Sequence, residues 1–417
     1  MVLNTNAAAV NGRRPNLLVL GASGHVAHAF LRRLGGRRNL FGRLVLLDES
    51  EQILKDPFLE HQRLRYQFIH HRLQWPDDGS YRELLRRYEI DIVLDLTDMD
   101  TLPVLSATDA AGVTYVNTAL NDAKRRVPEM VDAVHPTRQM PRRAPHILSS
   151  GMNPGVVNIW VWHGVRRYGV PREIVHFEYD TSMAADEWKP LITWSRQEFL
   201  TETVWEPTGQ VIDGKVKMYS TNALTHREDM RSVMEPVISL PDYPHGFLVL
   251  HEENVKLGRA LGASSKYLYA IHPKTMAYLV QRWREHGQLR ISDLQVGDNT
   301  TVPLVGSDTI GVCLEYPDKR VYYLNSLANA AVVGANATCT QVAVGVYAAL
   351  LTLLHEPLKP RVYFATDLYH TIYPKVIFSN LRVEHFVFEK QKRLWELRRH
   401  VPELHPRFGA AREHLVV

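Results

Sequence analysis

Residues Asn16–Ala27 read Asn-Leu-Leu-Val-Leu-Gly-Ala-Ser-Gly-His-Val-Ala. Four consecutive apolar residues, Leu17 to Leu20, run into Gly21, and Gly24 and Ala27 follow at intervals of three. An apolar helix face with Phe30, Leu31 and Leu34 comes next. A buried parallel strand, a tight turn and a helix start are the layout of a dinucleotide phosphate loop. Gly21 permits the turn and Gly24 lets backbone approach a pyrophosphate. Ala27 allows close helix packing, and the free N–H groups of the helix start face the anion. Ser23, His25 and Val26 complete the cofactor-contacting set expected of this turn. The Gly-x-x-Gly-x-x-Ala spacing also suits an ordinary βα turn, so the rest of the chain must decide.

Downstream, Arg43–Asp48 is a second apolar strand that ends in an acid. Asp48 lies roughly twenty residues past the turn, where an acid bonds the ribose hydroxyls of NAD and repels the 2′-phosphate of NADP. NAD is therefore the expected cofactor, although Asp48 would serve equally as a helix cap. Strands over Arg65–His70, Asp91–Leu96 and Val113–Asn117 alternate with helices over Ser80–Tyr88 and Leu102–Ala111. That alternation predicts βαβ units and a parallel sheet. Ligands lie at the carboxyl ends of such strands, which brings Thr97, Asp98 and Asn117 to Asn121 towards the cofactor.

His146–Ser150 is a further strand, followed by Gly151-Met152-Asn153-Pro154-Gly155 and a helix over Val156–Tyr168. Asn153 can cap that helix with Pro154 in its first position, or contact a substrate. Glu173–Asp180 alternates strictly, with Val175, Phe177 and Tyr179 on one face and His176, Glu178 and Asp180 on the other. Its period marks a half-buried strand of antiparallel type, and with it a second domain. In Ile192–Glu206, Ser195 and Glu198 form a capping box, with Trp194 and Phe199 as the hydrophobic staple. Glu202 needs another account. It lies eight residues past Trp194, roughly two turns along and on a similar side of the helix. An indole and a carboxylate on one wall suit an organic ammonium ion. His251 and His272 each end a strand, but without a recognised metal-ligand spacing no metal is expected. A hairpin spans Val302–Leu324, Asn336–Leu354 is a long apolar helix, and a tail helix is expected from Lys390 through Leu394, Leu397 and Val401.

Several of these stretches together resemble the homospermidine synthases, within the broader saccharopine dehydrogenase-like superfamily. They are Gly151-Met152-Asn153-Pro154-Gly155-Val156-Val157, Glu178-Tyr179-Asp180-Thr181, Thr193-Trp194-Ser195 with Glu202, and His251-Glu252-Glu253. Tyr269-Ala270-Ile271-His272-Pro273, Asp308-Thr309-Ile310-Gly311-Val312 and Asn336-Ala337-Thr338 with Gln341-Val342 continue the series in the family's order. The resemblance implies tightly held NAD acting on diamines such as putrescine. NAD takes hydride from the amine-bearing carbon, a second amine displaces ammonia from the resulting imine, and the same NADH reduces the product imine. By that resemblance Trp194 stabilises the cationic intermediate, and Glu202 and Glu178 bind ammonium groups. Glu202 is the better candidate for moving protons, and Asn153, His251 and Asp308 complete the pocket. One departure stands out: where the family has a glutamate after Thr118, this chain has Asn121 followed by Asp122. A different second substrate is therefore open.

The 417 residues are 45% hydrophobic and 23% charged, with a net charge of +4 and only two cysteines. Dispersed basic residues exclude a nucleic-acid groove, and the cysteine count excludes a disulfide framework. Met1–Arg14 is polar and lacks the apolar core expected of a signal peptide, and the most apolar run, Val342–Leu354, is short for a bilayer. The expectation is a cytoplasmic homodimer acting on a small amine, without nucleic-acid or membrane partners. The fold class is α/β, with a Rossmann NAD-binding domain over 1–150 and an α+β mixed-sheet substrate domain over 151–335. C-terminal helices and a tail over 336–417 are expected to pack back on the Rossmann domain. Two alternatives remain: an imine reductase of the saccharopine or carboxynorspermidine dehydrogenase type, and a non-catalytic NAD-binding regulator.

Overall fold

The computed structural model describes residues 13–403, apart from 36–38, 58, 60–63, 76–77, 135–140, 300–301 and 392–393. Residue ranges 1–12 and 404–417 thus lie outside it, as does part of the region read for a signal peptide. The strands β1 (Leu17–Leu20), β2 (Leu44–Asp48), β3 (Gln67–His70), β4 (Ile92–Asp95), β5 (Thr114–Asn117) and β6 (His146–Ile147) form one parallel sheet. Its order is Val362–Tyr363, β6, β5, β4, β1, β2, β3, the doubly wound arrangement whose switch point lies between β1 and β4. All four residues of β1 are buried, as a strand covered by helices on both faces requires. This is the Rossmann-like sheet expected from the opening stretch.

The second sheet is mixed and has ten strands. At its centre β7 (Glu173–Asp180) runs parallel to Ser264–Ile271 and antiparallel to Ser307–Glu315. The expected half-buried antiparallel strand is therefore a central one, buried on both faces. His176, Glu178 and Asp180 are 0%, 5% and 3% exposed, so the polar face of β7 meets protein rather than water.

The apolar helix Ala337–His355 lies against α1 (His25–Leu34) on one side and reaches the second sheet on the other. It is long and apolar enough to cross a bilayer, yet 83% of its most apolar window is buried within the protein. With the helix Val156–Tyr168 it joins both sheets into one core cluster, which contains Leu17 and Val19 as well as Ile310, Val312 and Tyr323. The C-terminal region divides between the sheets. Val362–Tyr363 extends the first, whereas Val383–Gln391 and Leu394–Glu403 form a hairpin at the edge of the second. The tail helix expected around Leu397 and Val401 is thus a strand. Both side chains are exposed, so their helical spacing did not reflect burial.

Candidate active site

A cavity of about 640 Å³ lies where the carboxyl ends of β1 and β4 meet the polar face of the second sheet. On the first-domain side it is bounded by Gly24 to Ala27 and by Leu96 to Asp98. Gly21 has a φ of +71°, and a Cβ there would lie 2.8 Å from the Leu96 carbonyl oxygen, so the turn requires glycine. Gly24 precedes α1 without a side-chain cap, and the first turn contains no acid. The first N–H groups of α1 therefore remain available to an anion. Asp48 ends β2 as expected, and its carboxylate accepts from the Ser23 and Ser50 N–H groups, each at 2.8 Å. It braces the turn from below. The Ser23 hydroxyl donates to the Ser50 carbonyl at 2.6 Å. These features fit a dinucleotide: a glycine cradle, an uncapped helix start and an acid at the end of β2.

The His25 imidazole pairs with Asp298, a buried acid contributed by the second domain. Thr97 donates to Asp95 at 2.6 Å, and Asp98 accepts from the Ser195 hydroxyl at 2.9 Å. Asn117 stands apart from the cavity. Its side chain donates to the Ala119 carbonyl and accepts from the Ser149 N–H at 2.9 Å, bracing β5 against the segment after β6. Asn121 lines the cavity, but its amide donates to the Thr97 carbonyl at 3.2 Å. Asp122 is consumed by a turn, accepting from the Lys124 and Arg125 N–H groups and from the Arg125 side chain. Neither replaces the missing glutamate as a free acid.

On the other wall, Glu178 from β7 receives hydrogen bonds from Tyr267 and from Asn153, the latter at 3.0 Å. Asn153 is not the helix cap. Gly155 is, with a φ of +130°, and its N–H donates to Asn158 at 2.8 Å. The Asn153 side chain is thereby released to the cavity, and its carbonyl oxygen has no partner among the described residues. Asp180 lies directly opposite Asp308 in the sheet, and Glu178 is opposite Ile310. Burial pushes Glu178 up to about 7, and the Asp180 charge reinforces the shift. Burial also raises Asp180, and it raises Asp308 well above the usual carboxylate range, with Glu178 and Asp180 adding repulsion. Asp308 does not reach the cavity. It accepts from Thr338 at 2.8 Å and sits behind the wall.

Trp194 is placed by three contacts. Its indole N–H donates to Tyr269 at 3.1 Å, Phe199 packs edge-on at 6.1 Å, and the preceding Thr193 carbonyl accepts from Asn336 at 2.6 Å. The staple and the Ser195 cap are as read from the sequence, with the Glu198 N–H donating to Ser195 at 3.2 Å. The single helix is not. Arg196–Leu200 is α-helical and Thr201–Trp205 is a π-turn, so Trp194 precedes the helix and Glu202 sits where its period widens. Both residues still line the same cavity. Glu202 Oε2 lies 2.7 Å from His251 Nε2, whereas Oε1 has no partner among the described residues.

Several lining residues escaped the sequence reading. Glu198, explained there as a capping residue, lines the cavity. Burial, together with the charges of Asp98, Glu202, Glu206 and Glu252, pushes it up to about 8. A signal existed: Glu198, Glu202 and Glu206 recur every four residues. Glu252 joins the domains by accepting from the Leu120 N–H at 2.7 Å. Tyr267 and Tyr269 alternate along their strand towards this wall, and Arg125 and Arg126 reach the lining from the segment after β5.

Residues 17–143 match the family model described as the saccharopine dehydrogenase NADP binding domain. The match falls on the parallel-sheet domain, whose glycine turn and strand order are those of a dinucleotide-binding fold. A crystal structure of homospermidine synthase from Legionella pneumophila in complex with NAD is similar to this chain, with a TM-score of 0.73 and 14% identity over 97% of each chain. Apo saccharopine dehydrogenase (L-Glu forming) from Saccharomyces cerevisiae gives a TM-score of 0.59 and 12% identity, over 89% of this chain and 99% of that one. No curated protein sequence matches. The α/β fold of these neighbours, a Rossmann-like sheet with a separate mixed-sheet domain, is that of this chain.

Proposed function

We propose that this protein is an NAD-dependent, homospermidine synthase-like aminobutyl transferase. One observation supports this above all: Asn153 Oδ1 and Glu202 Oε1, two acceptors without partners among the described residues, belong to a cavity walled by carboxyls and by Trp194. An ammonium group has three donors and no acceptor, and it is attracted to an indole face. When bound, NAD would take hydride from the amine-bearing carbon and return it to the product imine.

The chain's own groups supply the rest. Hydride loss needs a neutral amine, so a carboxylate must accept the ammonium proton. Glu202 is that group in our reading, while Glu178 and Asn153 orient the amine and Trp194 faces the cationic imine. The Asp48 carboxylate favours NAD over NADP, because a 2′-phosphate there would meet a like charge.

Arg125 and Arg126 favour a second reading, in which the protein is an imine reductase whose carbonyl partner bears a carboxylate. Incubation with putrescine and substoichiometric NAD, followed by mass spectrometry, separates the two. Homospermidine and ammonia without accumulating NADH support the transferase. Accumulating NADH, or dependence on an added keto or aldehyde acid, supports the reductase. Tight NAD binding without turnover of any amine would leave only a regulator.

A further inference from the structure

His251 begins the helix Glu252–Leu261, and its backbone N–H donates to Asn254 at 3.1 Å. This places the imidazole between two carboxylates. Nε2 lies 2.7 Å from Glu202 Oε2, and Nδ1 lies 3.3 Å from Glu253 Oε1. The Glu253 side chain is completely buried, and neither of its oxygens has an aligned hydrogen bond among the described residues. A carboxylate removed from water without compensation costs several kcal/mol, so it must either take up a proton or stand against a cation, and an imidazole nitrogen faces this one. The other imidazole near it, His176, is pushed down to about 4 by burial and lies against Asn254 at 3.1 Å. His251 is the cation. Burial opposes its charge, but Glu202 and Glu253 outweigh that and hold it well above the ordinary histidine range. In return His251 holds Glu253 below the usual carboxylate range, against its burial.

The remaining groups facing His251 are Glu252 on its own helix, Glu178 and His176 on β7, and the Tyr267 ring at 4.6 Å. None of these bridges to a ring nitrogen. If Glu202 were the only partner of the imidazolium, a proton delivered to Glu202 would leave a buried cation uncompensated. The imidazole would then release its own proton and turn. Glu253 removes that coupling, because it keeps a counter-charge on Nδ1 through both protonation states of Glu202.

We infer that Glu253 is a positioning residue: it holds the His251 imidazolium with Nε2–H on Glu202 Oε2, so that Oε1 is the oxygen Glu202 presents to the cavity. What meets Oε1 rests on the proposed amine chemistry, whereas the arrangement of the three residues does not.

Nitrogen-15 histidine NMR on the full-length protein tests the inference without turnover. Wild-type His251 should be doubly protonated at neutral pH, and so should His251 in Glu202→Gln, where Glu253 alone faces it. In Glu253→Gln its midpoint should fall by about one pH unit or more. Glu253→Asp should restore most of that fall. Under the amine assay, Glu253→Gln should also gain a pH limb in the interval where His251 now titrates. A His251 midpoint in Glu253→Gln within about 0.3 unit of wild type would overturn the inference. So would neutral His251 near pH 7 in Glu202→Gln, a result that stands even if Glu253→Gln does not fold. The NMR result supports or overturns the triad whether or not any amine is turned over, so failure of the transferase reading is seen separately.

Discussion

Burying Glu178, Asp180 and Asp308 on one sheet face leaves three carboxyls in contact with one another and with little water. The fold favours their protonated forms, since all three are raised above their unfolded values. An acid raised on folding contributes stability below its unfolded value and loses it as pH rises through the folded one. For Glu178 that window runs from about 4.5 to about 7. Glu178→Gln should therefore flatten the pH dependence of stability across this window. Above pH 7 it should stabilise by on the order of 1–3 kcal/mol, read by urea unfolding at several pH values. An unchanged pH slope would remove the proposed charge burden. At the opposite wall, Glu202→Gln should lower product formation by roughly a hundredfold or more while NAD affinity, measured by calorimetry, stays within about twofold. Wild-type turnover in that variant would remove Glu202 from proton transfer. Glu202 was legible in the sequence because the helix-start pattern left it unexplained, and Trp194 because it shares that wall, whereas Glu178 fitted its strand's alternation and was assigned through the family resemblance. Glu198 and Glu253 were not legible. A capping box fully explained the first, and the second matters only through a histidine that folding brings between two acids.

At the scale of elements, the glycine turn follows its sequence closely. Gly21→Ala must place a Cβ 2.8 Å from the Leu96 carbonyl oxygen at a φ of +71°. It should destabilise the protein by about 1–3 kcal/mol and weaken dinucleotide binding at least tenfold, with thermal unfolding and calorimetry as the measurements. Retained affinity would place the cofactor elsewhere. The π-turn at Thr201–Trp205 had no such signal, since no glycine or proline marks Thr-Glu-Thr-Val-Trp. The edge strand Leu394–Glu403 was misread for a related reason. Leu397 and Val401 are exposed, so they report no buried face, and the strand depends on backbone pairing with Val383–Gln391. Strand propensity is set by such partners more than by the segment itself.

For the whole molecule, sequence periodicity separated a parallel-sheet domain from a mixed-sheet one, but not the degree to which they share a core. The helices Val156–Tyr168 and Ala337–His355 contribute to one cluster that includes residues of both sheets. The Ser195–Asp98 bond and the Glu252–Leu120 bond add direct links around the cavity. Unfolding should accordingly be a single cooperative transition, with calorimetric and van't Hoff enthalpies equal within about 10%. Two resolved transitions would show that the domains are energetically independent.

The strand Val362–Tyr363 lies beside β6 although more than two hundred residues separate them along the chain. On a translating ribosome, β6 would wait some tens of seconds for that neighbour at ordinary elongation rates. During that interval the nascent Rossmann sheet has an uncovered hydrogen-bonding edge, a natural point of engagement for chaperones. Synthesis therefore ends the wait for the first domain only when nearly the whole of the second has emerged.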